Sequence, residues 1–140
     1  MLRLIVILAA FASANVHACK CMHLSVPELY ATSQSVFVAT LAPGIPLPKK
    51  EGDLVNVRIV RSLKGTRVAG SVVKIDPVAG SDCEVRFCTG LYLLVFASAQ
   101  DQSPVVVSTC SVRLAQPFWD GKQLHKPSHD IVKLLVSKPN

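Results

Sequence analysis

Aromatic side chains are scarce in this chain: one Trp, two Tyr and five Phe among 140 residues. So few rings leave little to stack on unpaired bases, and no strand pattern carries exposed aromatics at alternating positions. Charge is sparse too, at 17% of residues, and acidic charge is the scarcer sign, with nine Asp and Glu against fifteen Lys and Arg. The cations are scattered (Lys49, Arg58, Arg61, Lys64, Lys74, Arg86, Lys133) with no block of like charge. They read as a solvated basic surface rather than a nucleic-acid groove. No apolar run approaches the roughly 20 residues that a membrane-spanning helix needs. There is no internal repeat, low-complexity tract or Gly-rich phosphate loop, and no cofactor motif. His125 and His129 are separated by Lys126, Pro127 and Ser128, with no nucleophile tied to either. Asp82 and Glu84 flank Cys83, but two carboxylates in a loop are ordinarily solvated. The expectation is a protein that is not an enzyme and carries no cofactor.

What is present begins with Met1-Leu2-Arg3 and an apolar stretch over residues 4–14, followed by Val16-His17-Ala18. Charge, a short apolar run and small residues at the cut, in that order, predict a signal peptide over 1–18, cleaved after Ala18. Cys19 to Asn140 remain, enough for one domain with one core. The leader takes away a single cation, Arg3, so the mature chain stays basic. All five cysteines (Cys19, Cys21, Cys83, Cys88, Cys110) lie after the cut. Export, to a secreted or periplasmic location, favours disulfides, and the odd number leaves one thiol free, modified or paired between chains.

Ser25-Val26-Pro27-Glu28 opens a helix: Ser25 caps, Pro27 fits the first turn and Glu28 suits the positive end of the dipole. The helix should end near Ser33. SVFVATL (35–41) follows as a strand, and Pro43 to Gly52 as a loop. Residues 54–63 alternate, with Val55, Val57 and Ile59 on one face and Asn56 and Arg58 on the other. Further strands fall at 71–76, at 91–97, where LYLLVFA is apolar almost throughout, and at 105–109, ending at Cys110. Five short strands at this spacing predict a mostly β, closed or nearly closed barrel. Ser128-His129-Asp130 starts a second helix, with Ile131, Leu134 and Leu135 at helical spacing. The expected organisation is a barrel domain over 19–115 and a C-terminal extension over 116–140, with Trp119 and Phe118 anchoring that tail to the barrel.

A mature terminus of Cys19-Lys20-Cys21, then a short helix, then SVFVATL, resembles the tissue inhibitors of metalloproteinases (TIMPs) and the wider netrin-like domain family. The likeness continues through Val57-Arg58-Ile59-Val60-Arg61-Ser62-Leu63-Lys64-Gly65, through Ser81-Asp82-Cys83, through Gly90 and Tyr92-Leu93-Leu94-Val95-Phe96-Ala97, and ends at Thr109-Cys110. It covers about residues 19 to 112. Without the cysteine-rich C-terminal half of the animal inhibitors, the chain is most similar to a small bacterial single-domain member. The resemblance implies a five-stranded OB-type barrel with flanking helices, disulfides Cys19–Cys83 and Cys21–Cys110, and an unpaired Cys88. The apolar neighbours Phe87 and Leu91 suggest that Cys88 is a buried small hydrophobe, with an interchain link as the alternative.

The resemblance also implies a function: binding a zinc metalloprotease and inhibiting it. A catalytic zinc keeps an open position for water. An α-amine titrates near pH 8, so it can offer a lone pair there, with its own carbonyl oxygen completing a chelate. Two disulfides would fix this terminus in advance. Residue 20 would then enter the pocket beside the zinc, and Ser81, Asp82 and Cys83 would form a neighbouring ridge. Lys20 departs from the small polar residue of the vertebrate inhibitors, and a long cation in an apolar pocket is costly to desolvate. Three other readings stand beside this one. Cys19 and Cys21 simply staple the terminus to the barrel of a structural or envelope domain. Cys19 is lipidated, since Val16-His17-Ala18-Cys19 is a distorted lipobox; acylation would block the amine and is the one route to a membrane expected here. Or Cys19, Cys21, Met22 and His23 form a soft copper site.

Overall fold

The computed structural model describes residues 21, 24–44, 46, 53–78 and 83–137. The expected leader, Cys19, Lys20, Ser81 and Asp82 lie outside the described residues.

Helix α1 (Val26–Thr32) forms where the capping chemistry puts it. Ser25 accepts from the Glu28 backbone N–H at 3.4 Å, and the Glu28 carboxylate accepts from the Ser25 N–H at 2.7 Å. These two bonds satisfy reciprocal orphan donors of the first turn. At the other end, the Lys64 ammonium donates to the Tyr30 and Ala31 carbonyls at 2.8 and 3.1 Å. A cation thus meets the negative end of the helix dipole. The next residue, Gly65, has φ +96°, and a Cβ there would sit 3.1 Å from the Gln34 carbonyl oxygen and 3.3 Å from Ser35 Cα. Only glycine accepts both the backbone conformation and that close approach. The Lys64-Gly65 pair therefore locks the end of one strand to the helix and to the start of another.

Strands β1 (Ser35–Leu41), β2 (Val55–Lys64), β3 (Val72–Asp76), β4 (Tyr92–Ala97), β5 (Val105–Val106) and β6 (Val112–Leu114) make one mixed sheet in the order β5-β3-β2-β1-β4-β6. It curls into a half-barrel. All pairings are antiparallel except β3 with β5, which is parallel. The fifth strand expected over 105–109 is shortened to Val105–Val106, and a further strand that the expectation lacks, Val112–Leu114, lies on the opposite edge of the sheet. A tight turn separates them: the Ser111 N–H donates to the Ser108 carbonyl at 2.9 Å, and the Ser108 N–H to the Ser111 hydroxyl at 2.9 Å. Serine side chains that compete for backbone bonds break the ladder at this point. A short hairpin, β7 (Phe118–Trp119) with β8 (Leu124–His125), and helix α2 (His129–Ser137) complete the chain. The hairpin is absent from the sequence expectation, because two-residue strands carry too little periodicity to read.

The sheet has a core on each face. The concave face buries Phe37, Ala39, Val57, Ile59, Ile75, Val95 and Val105 among others. The convex face buries Val36, Val38, Leu94 and Phe96 beneath Val26 and Leu29 of α1 and Ile131 of α2. This explains why β1 and β4 are apolar at successive residues: alternate side chains enter different cores, and both are covered. β2 alternates over Val55–Ile59 because its convex side is not under a helix there; Arg58 and Val60 are exposed. Two register shifts against β1 then insert extra residues into β2. The one between Val38 and Ala39 reverses the alternation, so Leu63 reaches the helix-covered face although it shares the odd numbering of Val57 and Ile59. The expected spacing of Ile131, Leu134 and Leu135 holds, and all three pack on the convex core.

Phe37→Ala on the concave side and Leu94→Ala on the convex side should each lower the unfolding free energy by about 3–4 kcal/mol in urea titrations. Val72→Ala, at a half-exposed site, should cost under about 1 kcal/mol. Equal, small effects at all three positions would contradict the two-core description.

Candidate functional site

The cysteines converge on the turn between β5 and β6. Cys110 lies in that turn and is bonded to Cys21 across 89 residues of sequence, with Cα atoms 5.3 Å apart. Cys83 is also disulfide-bonded; Cys19, the partner that the family resemblance implies, lies outside the described residues. The Thr109 N–H donates to the Cys83 carbonyl at 3.0 Å, so Cys83 is joined to the same turn. One guanidinium clamps the turn from below the sheet edge: Arg113 Nη1 donates to the Val112 and Cys110 carbonyls at 2.7 and 3.0 Å, with a longer contact to Thr109 at 3.4 Å. The Cys110 N–H is taken by the Ser108 hydroxyl at 3.3 Å. Arg113 and the two serines hold a turn that the sequence did not advertise. An isolated Arg and two Ser carry no pattern until the chain folds back on itself.

The structure thus brings Cys21, Cys83 and Cys110 to one turn, and the Cys21–Cys110 bridge is the one that the resemblance implies. Lys20, Ser81, Asp82 and Cys19 flank these cysteines in sequence but lie outside the described residues. Cys88 is free, as expected, but it is exposed rather than buried. It opens a turn in which the Leu91 N–H returns to the Cys88 carbonyl at 3.1 Å, and that turn lifts the thiol off the core despite its apolar neighbours. The sulfur of Cys21 is committed to a disulfide, which removes it from the copper reading; Met22 and His23 lie outside the described residues. Among the described residues, no three His, Cys, Asp or Glu side chains are grouped to hold a metal ion.

A second constellation sits on the β7–β8 hairpin. Asp120 accepts from the Lys122 and Gln123 N–H groups at 2.8 and 2.9 Å through one oxygen. Its other oxygen accepts from His125 Nε2 at 2.7 Å. Backbone donation from Gln123, then the His125 bond, holds the Asp120 carboxyl at about 2. The His125 ring stacks on Phe118 with centroids 4.7 Å apart. His129 belongs to α2 and is not part of this group. Trp119 is 62% exposed, so it does not anchor the tail; α2 does that through Ile131. Elsewhere, a groove of about 680 Å³ runs between α1 and α2, walled by Val26, Pro27, Tyr30, Val132 and Val136. Asp130 and Lys133 also line it.

Replacing Cys21 and Cys110 together by Ser should lower stability by about 4 kcal/mol, as expected for a cross-link closing so long a loop, read by denaturant unfolding. The Asp120 bonds make a second expectation. A carboxyl held below its unfolded value stabilises above that value, and its contribution is lost as pH falls from about 4 toward about 2. The Lys122 and Gln123 amide resonances should therefore stay at their native positions at pH 5 and move only in strong acid. Asp120→Asn should bring that movement to neutral pH. No family model, curated protein or solved structure matches this chain.

Proposed function

We propose that the mature chain is an exported, TIMP-like, netrin-type binding module that inhibits a zinc metalloprotease through the amine and carbonyl of Cys19. The observation that carries this reading is the junction at the β5–β6 turn. Cys21 is covalently bound to it, and Cys83 is both disulfide-bonded and hydrogen-bonded to it through Thr109. The Cys19 terminus would begin two residues before a Cys21 that is fixed to a sheet edge, so ordering it for a partner would cost less. The sheet supports the same reading. If 105–114 counts as one interrupted strand, the half-barrel has five strands and both of its edges belong to the last, as in a partly open OB-type barrel. A disulfide across the fold fits an oxidising compartment outside the cytosol.

The chemistry assigned to the site follows from the terminus. The Cys19 amine, deprotonated beside Zn²⁺, and the Cys19 carbonyl oxygen would displace the water that attacks the substrate. Both cysteine sulfurs are engaged in bridges and are not ligands. Lys20 would enter the adjoining pocket and calls for a protease whose pocket is acidic there, since a cation left unpaired on desolvation opposes binding. Ser81, Asp82 and Cys83 form the second strip of contact.

The test compares the mature protein with a version bearing one extra Ala before Cys19. Inhibition of zinc metalloproteases with acidic pockets should be present in the first and absent in the second. Lys20→Ser should shift the preference toward enzymes with apolar pockets. Equal inhibition by both termini, or an intact mass showing an acyl group on Cys19, overturns the mechanism and leaves a stapled or lipid-anchored scaffold.

A further inference from the structure

The single tryptophan of the chain is placed where a fold does not need it. Trp119 pairs in register with Leu124 across the β7–β8 hairpin, so both side chains leave the same face. They are 62% and 51% exposed. The other pair, Phe118 with His125, stacks on the opposite face and is half-buried. The hairpin is therefore amphipathic in the wrong sense for a solvated surface: its outer side is the more apolar one. It is also held in shape. Asp120 fixes the turn through two backbone donors and His125, and Gly121 takes φ +91°.

Asp130 stands beyond the hairpin, in the first turn of α2. The hairpin and the residue after it carry two cations, Lys122 and Lys126, and one carboxylate, Asp120. That carboxylate is engaged by His125 and the turn. Lys122 is exposed at the tip and Lys126 directly follows β8. The whole chain carries a formal charge of +6. An indole beside an aliphatic side chain, ringed by lysines, suits a bilayer interface, where Trp sits at headgroup depth and Lys meets anionic lipid. Two side chains are too small a patch for a protein partner, which needs about 800 Å² on each side.

From this we infer that the hairpin docks the protein on an anionic lipid surface, Trp119 and Leu124 entering the headgroup layer and Lys122 and Lys126 pairing with phosphates. This contact requires no fatty acid on Cys19.

Because the tryptophan is unique, its emission reports the contact directly. The mature protein is titrated with vesicles of phosphatidylcholine alone and of phosphatidylcholine with phosphatidylglycerol in equal parts. On the mixed vesicles, emission should shift to the blue and become protected from acrylamide, and high salt should reverse both effects. Lys122→Ala and Lys126→Ala, outside either core, should each weaken binding about 5-fold. Leu124→Ser should weaken it about 10-fold, with the amide spectrum of the sheet unchanged. Unshifted emission on mixed vesicles overturns the proposal. So does sedimentation with vesicles that Leu124→Ser and Trp119→Ser leave unaltered, since that is general charge attraction.

Discussion

A ten-residue segment, 105–114, takes part in both edges of the same sheet, and the rest of the molecule is arranged around that constraint. Its first residues run parallel to β3 and its last run antiparallel to β4. A chain that must reach both edges within so few residues forces the sheet to curl. The curl in turn creates a concave interior that Phe37, Ile59, Ile75 and Val95 fill. Between the two pairings the backbone has to turn, and Ser108, Ser111 and Arg113 satisfy the polar groups that the interrupted ladder leaves. The turn is also where Cys110 sits. The most constrained point of the sheet is thus the point to which the N-terminal segment is bound.

This coincidence gives the molecule its polarity. Helices α1 and α2 cover the convex face and contribute to stability there, through Leu29 and Ile131 above all. Neither helix carries the cysteine junction. The Lys64 and Tyr30 contacts tie α1 to β2, with the Tyr30 hydroxyl donating to the Leu63 carbonyl at 3.0 Å, so the first helix is rigid relative to the strand beneath it. Cys21 is thus fixed by its disulfide and α1 by its contacts with β2. In the proposed inhibitor such double restraint is what allows one short terminus to act. The β7–β8 hairpin lies apart from this frame and presents side chains that no core takes up.

Much of the architecture was legible from residue order. The Ser25 to Glu28 capping box, the alternation of Val55, Val57 and Ile59, the unbroken apolar run of β4 and the helical spacing of Ile131, Leu134 and Leu135 each carry a local physical preference that the fold keeps. The places where expectation and structure part are those where a contact distant in sequence outweighs a local one. Phe87 and Leu91 suggested a buried Cys88, yet the turn closed by Leu91 faces the thiol to solvent. A ring beside a ring suggested that Trp119 packs on the barrel, yet strand pairing puts Phe118 inward and Trp119 outward.

The sequence by itself determined strands β1 to β4, the start of β5 and the two helices, because each depends on neighbours within a few residues. Tertiary structure decided the rest. It set β5 and β6 on opposite edges, moved Leu63 to the convex core through an irregularity in β2, and gathered Cys21, Cys83 and Cys110 at one turn. Those outcomes depend on which residues meet across tens of positions, and no local preference encodes such meetings; they follow from curling one sheet between two cores.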